Sequence, residues 1–219
     1  MTMTETIDTA AVVRALAMRT YELRDFLARS TDQSFDDTTL AQVLAALPPL
    51  SATGPWLAGG SLRRSLLRQE PDSDFDFFFR DADQLEDFRN GVEAAGLVKV
   101  RETVHHVHYR GRVGGSIERD VQLIRFAFYG NAAAVIDSFD FTICQIAYDG
   151  EKLFVGEHTL WDLARKRLAV NKITFPVSST RRMLKYAAQG FTACNGCLSA
   201  LLRSTIDNPE LRMDIAYVD

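Results

Sequence analysis

Residues 56–80 read WLAGGSLRRSLLRQEPDSDFDFFFR, the most informative pattern in this chain. An apolar run is followed there by Gly59, Gly60 and a hydroxyl at Ser61. Glycines let a backbone come close to a phosphate, and a helix that begins at Ser61 would direct its free N–H groups at that phosphate. The basic amphipathic segment 62–68 supplies such a helix. The stretch therefore predicts a strand, a Gly-Gly turn, a helix and a second strand.

The second strand, in residues 72–79, reads DSDFDFFF. Side chains on a strand alternate between its two faces, so Asp74 and Asp76 share one face while Phe75 and Phe77 enter the core. Two carboxylates about 7 Å apart along a strand are what a site for two hard divalent cations needs. The whole stretch predicts metal-assisted chemistry on a nucleoside triphosphate.

Two other interpretations of these acids stay open. In the first, Asp72, Asp74 and Asp76 begin a calcium loop of the EF-hand type. Such a loop has Gly at its sixth position and Glu at its twelfth, where this chain has Phe77 and Asp83. In the second, the acids form a solvated strand face. Carboxylates packed this closely repel one another, which favours a function that tolerates the cost.

Composition describes an ordinary globular chain without a global charge signature. Its 219 residues can bury a substantial core, and 47% hydrophobic with 25% charged residues is typical of globular proteins. The formal net charge is −4, so nucleic-acid contact would need a local basic patch. The candidates for that patch are Arg63, Arg64, Arg68, Arg181, Arg182, Lys185 and Arg203. The polar, acidic start and the lack of an 18-residue apolar run predict no signal peptide, no membrane contact and a cytoplasmic location.

Cysteine and histidine patterns add two metal hypotheses that the sequence disfavours. The chain has 3 cysteines, which argues against a disulfide framework and fits a reducing compartment. Cys194 and Cys197 form a single CxxC, whereas a zinc site needs a second pair or a suitably spaced His. His106 and His108 share a strand face, for which simple exposure is favoured over a metal site.

Periodicity divides the chain into three parts. Residues 1–50 are predicted to form N-terminal helices that pack on the core, residues 51–155 the catalytic core with its sheet, and residues 156–219 a helical, neck-like segment. Within these parts, helices are predicted at 10–30, 39–47, 83–95, 159–168, 181–190 and 195–206, and strands at 97–109 and 116–128. Thr159 and Ser178, Ser179 and Thr180 are the predicted helix caps, and Gly190 is predicted to end the helix at 181–190.

The order Gly-Gly-Ser, helix, Asp-Phe-Asp resembles the nucleotidyltransferase superfamily of DNA polymerase β. The resemblance implies an α+β fold, with a mixed sheet flanked by helices and a helical C-terminal part. It also implies that the turn at Gly59, Gly60 and Ser61 holds a triphosphate and that Asp74 and Asp76 hold Mg²⁺.

The superfamily often places a third carboxylate on a strand next to the Asp pair. Asp120 is the candidate here, with Glu118 as the alternative. In the predicted strand at 116–128, Glu118, Asp120 and Gln122 lie on one face. Asp120 could equally be a solvent-exposed carboxylate at the edge of the sheet, with no catalytic role.

The order of segments in residues 55–192 resembles the head and neck of class II CCA-adding enzymes and bacterial poly(A) polymerases. Residues 138–145, SFDFTICQ, are similar to the RRDFTINA motif of that family, which implies that Asp140 helps to recognise the ribose. Residues 182–191, RMLKYAAQGF, are similar to the family's neck helix, RAVRFAAQLGF.

Departures from that pattern concern specificity. The family's turn continues Val-Arg-Asp, where this chain has LRR at 62–64 and so keeps a basic position but loses the acid. The family's neck carries a Glu-Asp pair that reads the base edge, where this chain has Phe175 and Pro176. Because few residues follow Phe191, no tRNA-gripping body is expected. These differences predict an activity other than CCA addition on a similar head.

The resemblance implies a two-ion mechanism. One Mg²⁺ at Asp74 and Asp76 would bridge the β- and γ-phosphates of an NTP. A second would lower the pKa of an acceptor hydroxyl, which attacks the α-phosphorus and expels pyrophosphate. A tRNA or other RNA 3′ end is the favoured acceptor. One alternative is a protein or small-molecule acceptor. Another is a regulatory module that binds nucleotide without catalysis. The oligomeric state is left open.

Four basic side chains complete the predicted nucleotide site. Arg63 or Arg64 is predicted to neutralise the triphosphate. Arg182 and Lys185, about one turn apart on a predicted helix, would contact the triphosphate or the acceptor backbone. A solvated basic face is the open alternative for that second pair.

Overall fold

The computed structural model of this chain describes residues 18–22, 38–67, 69 and 72–207. These residues divide into two units. The first comprises the described residues up to Asp137 together with Gln145–Glu157, and the second comprises Ser138–Cys144 with the described residues from His158 onward. The three parts predicted with boundaries at residues 50 and 155 stay a prediction.

An eight-stranded mixed sheet forms the centre of the first unit. Its strands are β1 (Met18–Glu22), β2 (Trp56–Ala58), β3 (Phe75–Phe78), β4 (Val98–Glu102), β5 (His106–Arg112), β6 (Glu118–Ile124), β7 (Ile146–Tyr148) and β8 (Lys152–Gly156). Their order across the sheet is β1-β8-β7-β2-β3-β6-β5-β4. Strands β3 and β6 are parallel, and the other neighbouring pairs of this sheet are antiparallel.

The helices described in this unit are α1 (Thr38–Ala45), α2 (Gly60–Leu66), α3 (Ala82–Ala94) and α4 (Ala132–Asp137). The predicted α+β class, with a mixed sheet flanked by helices, is confirmed.

Strand β3 is anchored by its phenylalanine side chains. Phe77 is fully buried, and its ring centroid lies 4.7 Å from that of Phe88 on α3. Helix α3 begins after Asp81, whose side chain accepts a hydrogen bond from the N–H of Gln84 at 2.8 Å. The helix predicted at 83–95 is therefore present, and its cap fixes where Phe88 meets the sheet.

The segment predicted as one strand at 97–109 is two antiparallel strands, β4 and β5. Thr103 turns the chain between them, because its Oγ1 accepts hydrogen bonds from the N–H groups of His105 and His106 at 3.2 and 3.1 Å. Thr103 and Val104 are β-branched and continue the strand-like pattern through the turn. The residue pattern alone therefore gave no sign of the turn between β4 and β5.

The helix predicted at 10–30 is wrong over Met18–Glu22, which forms β1 and pairs with β8. A neighbouring strand offers hydrogen-bond partners to the backbone, and tertiary pairing of this kind overrides local helical periodicity. The remainder of residues 10–30 lies outside the described residues. By contrast, the helix predicted at 39–47 is present as α1, which begins one residue earlier and ends before Pro48.

The second unit is largely helical, in agreement with the predicted C-terminal part. Its described elements are a 3₁₀ turn (Thr142–Cys144), α5 (Thr159–Ala164), β9 (Arg167–Leu168), α6 (Pro176–Ala188), β10 (Thr192–Ala193) and α7 (Asn195–Ile206). Strands β9 and β10 form a small parallel pair.

Helix α5 is shorter than the helix predicted at 159–168. Lys166 adopts a left-handed backbone with φ 49°, which cannot continue a helix, and β9 begins at the next residue. Thr159 is not a cap as predicted, because its Oγ1 donates to the carbonyl of Thr142 at 2.7 Å. The hydroxyl of Thr159 is therefore used in a contact with Thr142 and does not cap the helix.

Helix α6 begins at Pro176, before the predicted start at 181. Proline is well tolerated at the first helical position, since the N–H that it lacks would have no helical partner there. The predicted caps Ser178, Ser179 and Thr180 consequently lie inside the helix, and Thr180 Oγ1 donates back to the carbonyl of Pro176 at 2.9 Å. Gly190, with φ 86°, follows the end of the helix as predicted.

None of the helices in the described ranges has the length and apolar content that crossing a membrane requires. The cytoplasmic location stays a prediction.

We expect Phe77→Ala to lower the free energy of unfolding by about 3–5 kcal/mol, because it leaves a cavity between the sheet and α3. Chemical denaturation would measure this change. Phe128, which is 44% exposed, supplies the matched control. Phe128→Ala should change the free energy of unfolding by no more than about 0.5 kcal/mol. Equal losses in the two variants would contradict the assignment of Phe77 to the core.

Candidate nucleotide and metal site

The Gly-Gly turn connects the end of β2 to the start of α2. Gly59 has φ 86° and ψ −124°, a backbone conformation that favours glycine. Its N–H donates to the carbonyl of Ile146 on β7 at 3.0 Å, and its carbonyl accepts from the N–H of Arg63 at 3.0 Å. The turn is thus tied to the sheet on one side and starts the helix on the other.

Gly60 brings the turn against the segment that carries the acids. A Cβ on Gly60 would lie 2.3 Å from Oγ of Ser73, the residue that precedes Asp74. In the ladder between β2 and β3, Ala58 is the register partner of Asp76. The turn therefore begins beside the Asp pair, and any side chain at position 60 would have to displace Ser73.

Asp74 and Asp76 lie at alternate positions in and just before β3, so they share one face. Both are partly buried. Oδ2 of Asp74 accepts a hydrogen bond from Nε2 of Gln122 on β6 at 2.6 Å. Gln122 is also the register partner of Asp76 in the parallel ladder. The structure therefore adds to the predicted pair an amide side chain to which the sequence assigned no role.

Ser61 lies in the first turn of α2 with its side chain fully buried. Within the described residues, its Oγ has no hydrogen-bond partner. Leaving a buried hydroxyl unsatisfied costs about 1–3 kcal/mol, and an exception of this kind needs an explanation. A polar group held by the turn would supply one, in line with the role predicted for Ser61.

The two arginines predicted to neutralise a triphosphate have different surroundings. Arg63 is only 2% exposed, so its guanidinium lies inside the unit. Arg64 is partly exposed, and its Nε lies 2.8 Å from Oδ1 of the exposed Asp72. An ion pair with an exposed partner is weak, so Arg64 can exchange Asp72 for another anion at little cost. Of the two, Arg64 fits the predicted role better.

Asp120, the predicted third carboxylate, takes part in a separate set of contacts. Its Oδ1 accepts from Nε of Arg110 at 2.8 Å and lies 2.5 Å from Nε2 of His108, both on β5. Burial raises the pKa of Asp120, but the hydrogen bonds from Arg110 and His108 outweigh it and hold the pKa below its usual value. Glu118, the alternative, is exposed at the start of β6, opposite Arg112. A catalytic role for Asp120 stays a prediction.

The candidate metal-ligand atoms at this place are the carboxylate oxygens of Asp74 and Asp76. Mg²⁺ prefers such hard ligands, so the residues present fit the predicted ion. Within the described ranges, no group of three or more His, Cys, Asp and Glu side chains is arranged to hold a metal. The candidate centre is therefore a pair of carboxylates with Gln122 beside it.

The remaining predicted nucleotide contacts lie in the second unit. Asp140 is 6% exposed, and its Oδ2 accepts from Oγ of Ser179 at 2.9 Å and lies 3.1 Å from Nε of Arg182 in an ion pair. Its Oδ1 has no hydrogen-bond partner among the described residues. Lys185 lies exposed in the last turn of α6. Asp140 and Arg182, two residues predicted separately, thus form one ion pair that Ser179 supports, and no sequence signal indicated Ser179.

The CxxC pattern has a structural role in the second unit. Cys194 is the N-cap of α7, and its Sγ accepts a hydrogen bond from the N–H of Cys197 at 3.4 Å. Burial raises the pKa of Cys197 to about 11. Cys194 therefore caps the helix through the N–H of Cys197, which accounts for the spacing of the two cysteines without a metal.

Residues 21–166 match the family described as "Gabija anti-defense 2 family protein". The chain belongs to this family. A curated relative from Bacillus phage SPbetaL7, named "Gabija anti-defense 2", is 28% identical over 139 residues, which make up 62% of this chain and 33% of the relative. The chain thus spans about a third of the length of that relative.

Solved structures of CCA-adding enzymes have a similar fold. A CCA-adding enzyme with CTP matches with a TM-score of 0.60 and 16% identity over 89% of this chain and 48% of that one. The enzyme from Thermotoga maritima complexed with tRNA matches with a TM-score of 0.54 and 18% identity over 90% of this chain and 48% of that one. At such identities the likeness shows the fold alone. It confirms the expected resemblance to CCA-adding enzymes at the level of the fold.

The contacts of Asp120 predict a pH-dependent contribution to stability. Because its pKa is lowered by folding, this contribution is complete above the usual carboxyl pKa near 3.8 and is lost as the pH falls through the lower folded value. Asp120→Asn should therefore be less stable than the native chain at pH 7, and the difference should shrink towards pH 3. Denaturation midpoints across this range would measure it.

Arg110→Ala removes one of the two hydrogen-bond donors and should weaken the same pH dependence. The effect is modest because the pair is partly exposed. A difference between native chain and Asp120→Asn that stays constant with pH would contradict the lowered pKa.

Proposed function

We propose that this chain is a metal-dependent nucleotidyltransferase, which moves an NMP from an NTP to an acceptor hydroxyl and releases pyrophosphate. The observation that carries the proposal is the contact between the Gly-Gly turn and the Asp segment, where Gly60 lies against Ser73 beside Asp74. A turn whose backbone a triphosphate could approach closely and a carboxylate pair that could hold cations therefore lie at one place on the sheet. The nucleotidyltransferase fold is consistent with this chemistry.

Asp74 and Asp76 would hold Mg²⁺ in this proposal. When bound, the metal supplies charge neutralisation of the phosphates and lowers the pKa of the attacking hydroxyl. Two adjacent carboxylates repel each other, and a cation bound by both would relieve that repulsion.

The other residues of the first unit bind and orient the triphosphate. Gly59 and Gly60 let phosphate oxygens approach backbone N–H groups at the start of α2, and Ser61 offers its unpaired hydroxyl. Arg64 neutralises phosphate charge after it leaves Asp72. In the second unit, Asp140 with Arg182 and Lys185 are the proposed contacts to the ribose and to phosphate.

An RNA 3′ end is the favoured acceptor. The similar enzymes that have been solved with CTP, ATP and tRNA motivate this choice. Family membership favours a second candidate acceptor, a protein component of the defence that the family's name cites. In that case the same transfer would inactivate its target by nucleotidylation.

We expect Asp74→Ala with Asp76→Ala to reduce nucleotide transfer by at least about 100-fold, because loss of metal-assisted charge neutralisation costs several kcal/mol in the transition state. The measurement uses each of the four α-labelled NTPs with Mg²⁺, total RNA and bacterial lysate protein. Asp83→Ala with Asp87→Ala is the matched control, since it removes two exposed carboxylates from α3. The control should transfer like the native chain.

The labelled species identifies the acceptor. Label on RNA that vanishes in the Asp74→Ala, Asp76→Ala variant supports the RNA acceptor, and label on one protein supports the second candidate. Tight NTP binding without label or pyrophosphate release would overturn catalysis in favour of a regulatory nucleotide-binding module.

We expect Gly60→Ala to weaken NTP binding by about tenfold or more, because its Cβ would displace Ser73 and shift the turn relative to Asp74. Isothermal titration with a non-hydrolysable NTP and Mg²⁺ would measure the affinity. Gly130→Ala is the control, as a Cβ there meets nothing within 4 Å. An unchanged affinity in Gly60→Ala would remove the turn from the site.

A further inference from the structure

The side chain beside the Asp pair from strand β6 is an amide. In the parallel ladder Asp76 is paired with Gln122, and the preceding pair is Phe75 with Val121. Side chains at paired positions of neighbouring strands point to the same face. Gln122 therefore lies on the same face of the sheet as Asp76. It is the position on β6 nearest to Asp76 from which a third metal ligand could come.

Gln122 makes a specific contact across the strands. Its Nε2 donates to Oδ2 of Asp74 at 2.6 Å, a hydrogen bond to a carboxylate, which is stronger than one between neutral groups. Asp74 precedes β3, whose ladder with β6 begins at Phe75. The backbone ladder thus does not hold Asp74 itself, and the side chain of Gln122 does.

The carboxylate on the same face of β6 is directed elsewhere. Asp120 accepts from Arg110 and His108 on β5, the strand on the other side of β6 from β3. A carboxylate at position 122 would repel Asp74 and Asp76, whereas an amide donates to one of them. On this face of the sheet, Gln122 thus holds Asp74 of the Asp pair, while Asp120 is held by Arg110 and His108.

We propose that Gln122 is a positioning residue for the metal site. It acts through Asp74, whose carboxylate it holds in one orientation so that the remaining oxygen can face a cation together with Asp76. This inference rests on the metal site of the proposed function but not on turnover, because it concerns cation affinity.

The test uses the full chain, freed of metal by chelation, and Mn²⁺ alone as the probe, with affinity read by electron paramagnetic resonance. Gln122→Met keeps the side-chain volume and removes the donor. It should weaken Mn²⁺ binding by about tenfold, the loss expected when a partner of a metal ligand is removed. Gln84→Met is the matched control, since Gln84 donates to the carbonyl of Thr53 in the same unit and does not contact the acids. Its Mn²⁺ affinity should equal that of the native chain.

Gln122→Glu provides a second, independent measurement. A third carboxylate next to Asp74 and Asp76 should lower the melting temperature in EDTA, because the acids repel. Mn²⁺ relieves that repulsion, so the rise in melting temperature on adding Mn²⁺ should be larger than in the native chain. This measurement needs only a folded protein, and it remains available if Gln122→Met folds poorly.

Three results would overturn the inference. They are native Mn²⁺ affinity in Gln122→Met, an equal Mn²⁺-induced rise in melting temperature in Gln122→Glu and the native chain, and absence of Mn²⁺ binding by the native chain. Failure of the proposed function looks different. A native chain that binds Mn²⁺ in a Gln122-dependent way but transfers no nucleotide would contradict the transferase and support the positioning role.

Discussion

The alternation of strand β3 is the constraint on which the site depends. Phe75 and Phe77 are fully buried, so a slip of one residue in register would turn Asp74 and Asp76 towards the side of the sheet that these rings occupy. Burying an unpaired carboxylate costs far more than an apolar residue gains there. The register is therefore strongly determined, and with it the two neighbours of Asp76 in the sheet, Ala58 on β2 and Gln122 on β6.

The turn follows from that register. Because Ala58 lies opposite Asp76, the next residues of the chain leave the sheet at the level of the acids. Gly59 provides the positive φ that bends the chain into α2, and Gly60 lets the helix start in contact with Ser73. The backbone that could approach a phosphate and the carboxylates that could hold a cation are thus placed together by packing, before any ligand is considered.

Fold and family bear on function at different levels. A fold similar to that of the CCA-adding enzymes can host many functions, so the fold does not choose among acceptors. For the transfer proposed above, membership in the Gabija anti-defense 2 family adds a protein as a second candidate acceptor beside RNA. What the structure shows at these places is local: helix α6 begins at Pro176 directly after Phe175, and the residue of β6 paired with Asp76 is Gln122, an amide. We therefore expect the acceptor specificity of the proposed transfer to depend on these residues.

The sequence alone determined the features with a local cause. Alternation predicted β3 and the shared face of its acids, glycine predicted the turn, and apolar periodicity predicted α1 and α3. Contacts between distant segments were decided only by the tertiary structure: the strand at Met18–Glu22 on β8, Gln122 on Asp74, Arg110 and His108 on Asp120, and Ser179 on Asp140. The physical reason is that such contacts depend on which strands and helices become neighbours and in which register. A side chain such as Gln122 carries no local signal of the carboxylate that it meets 48 residues away.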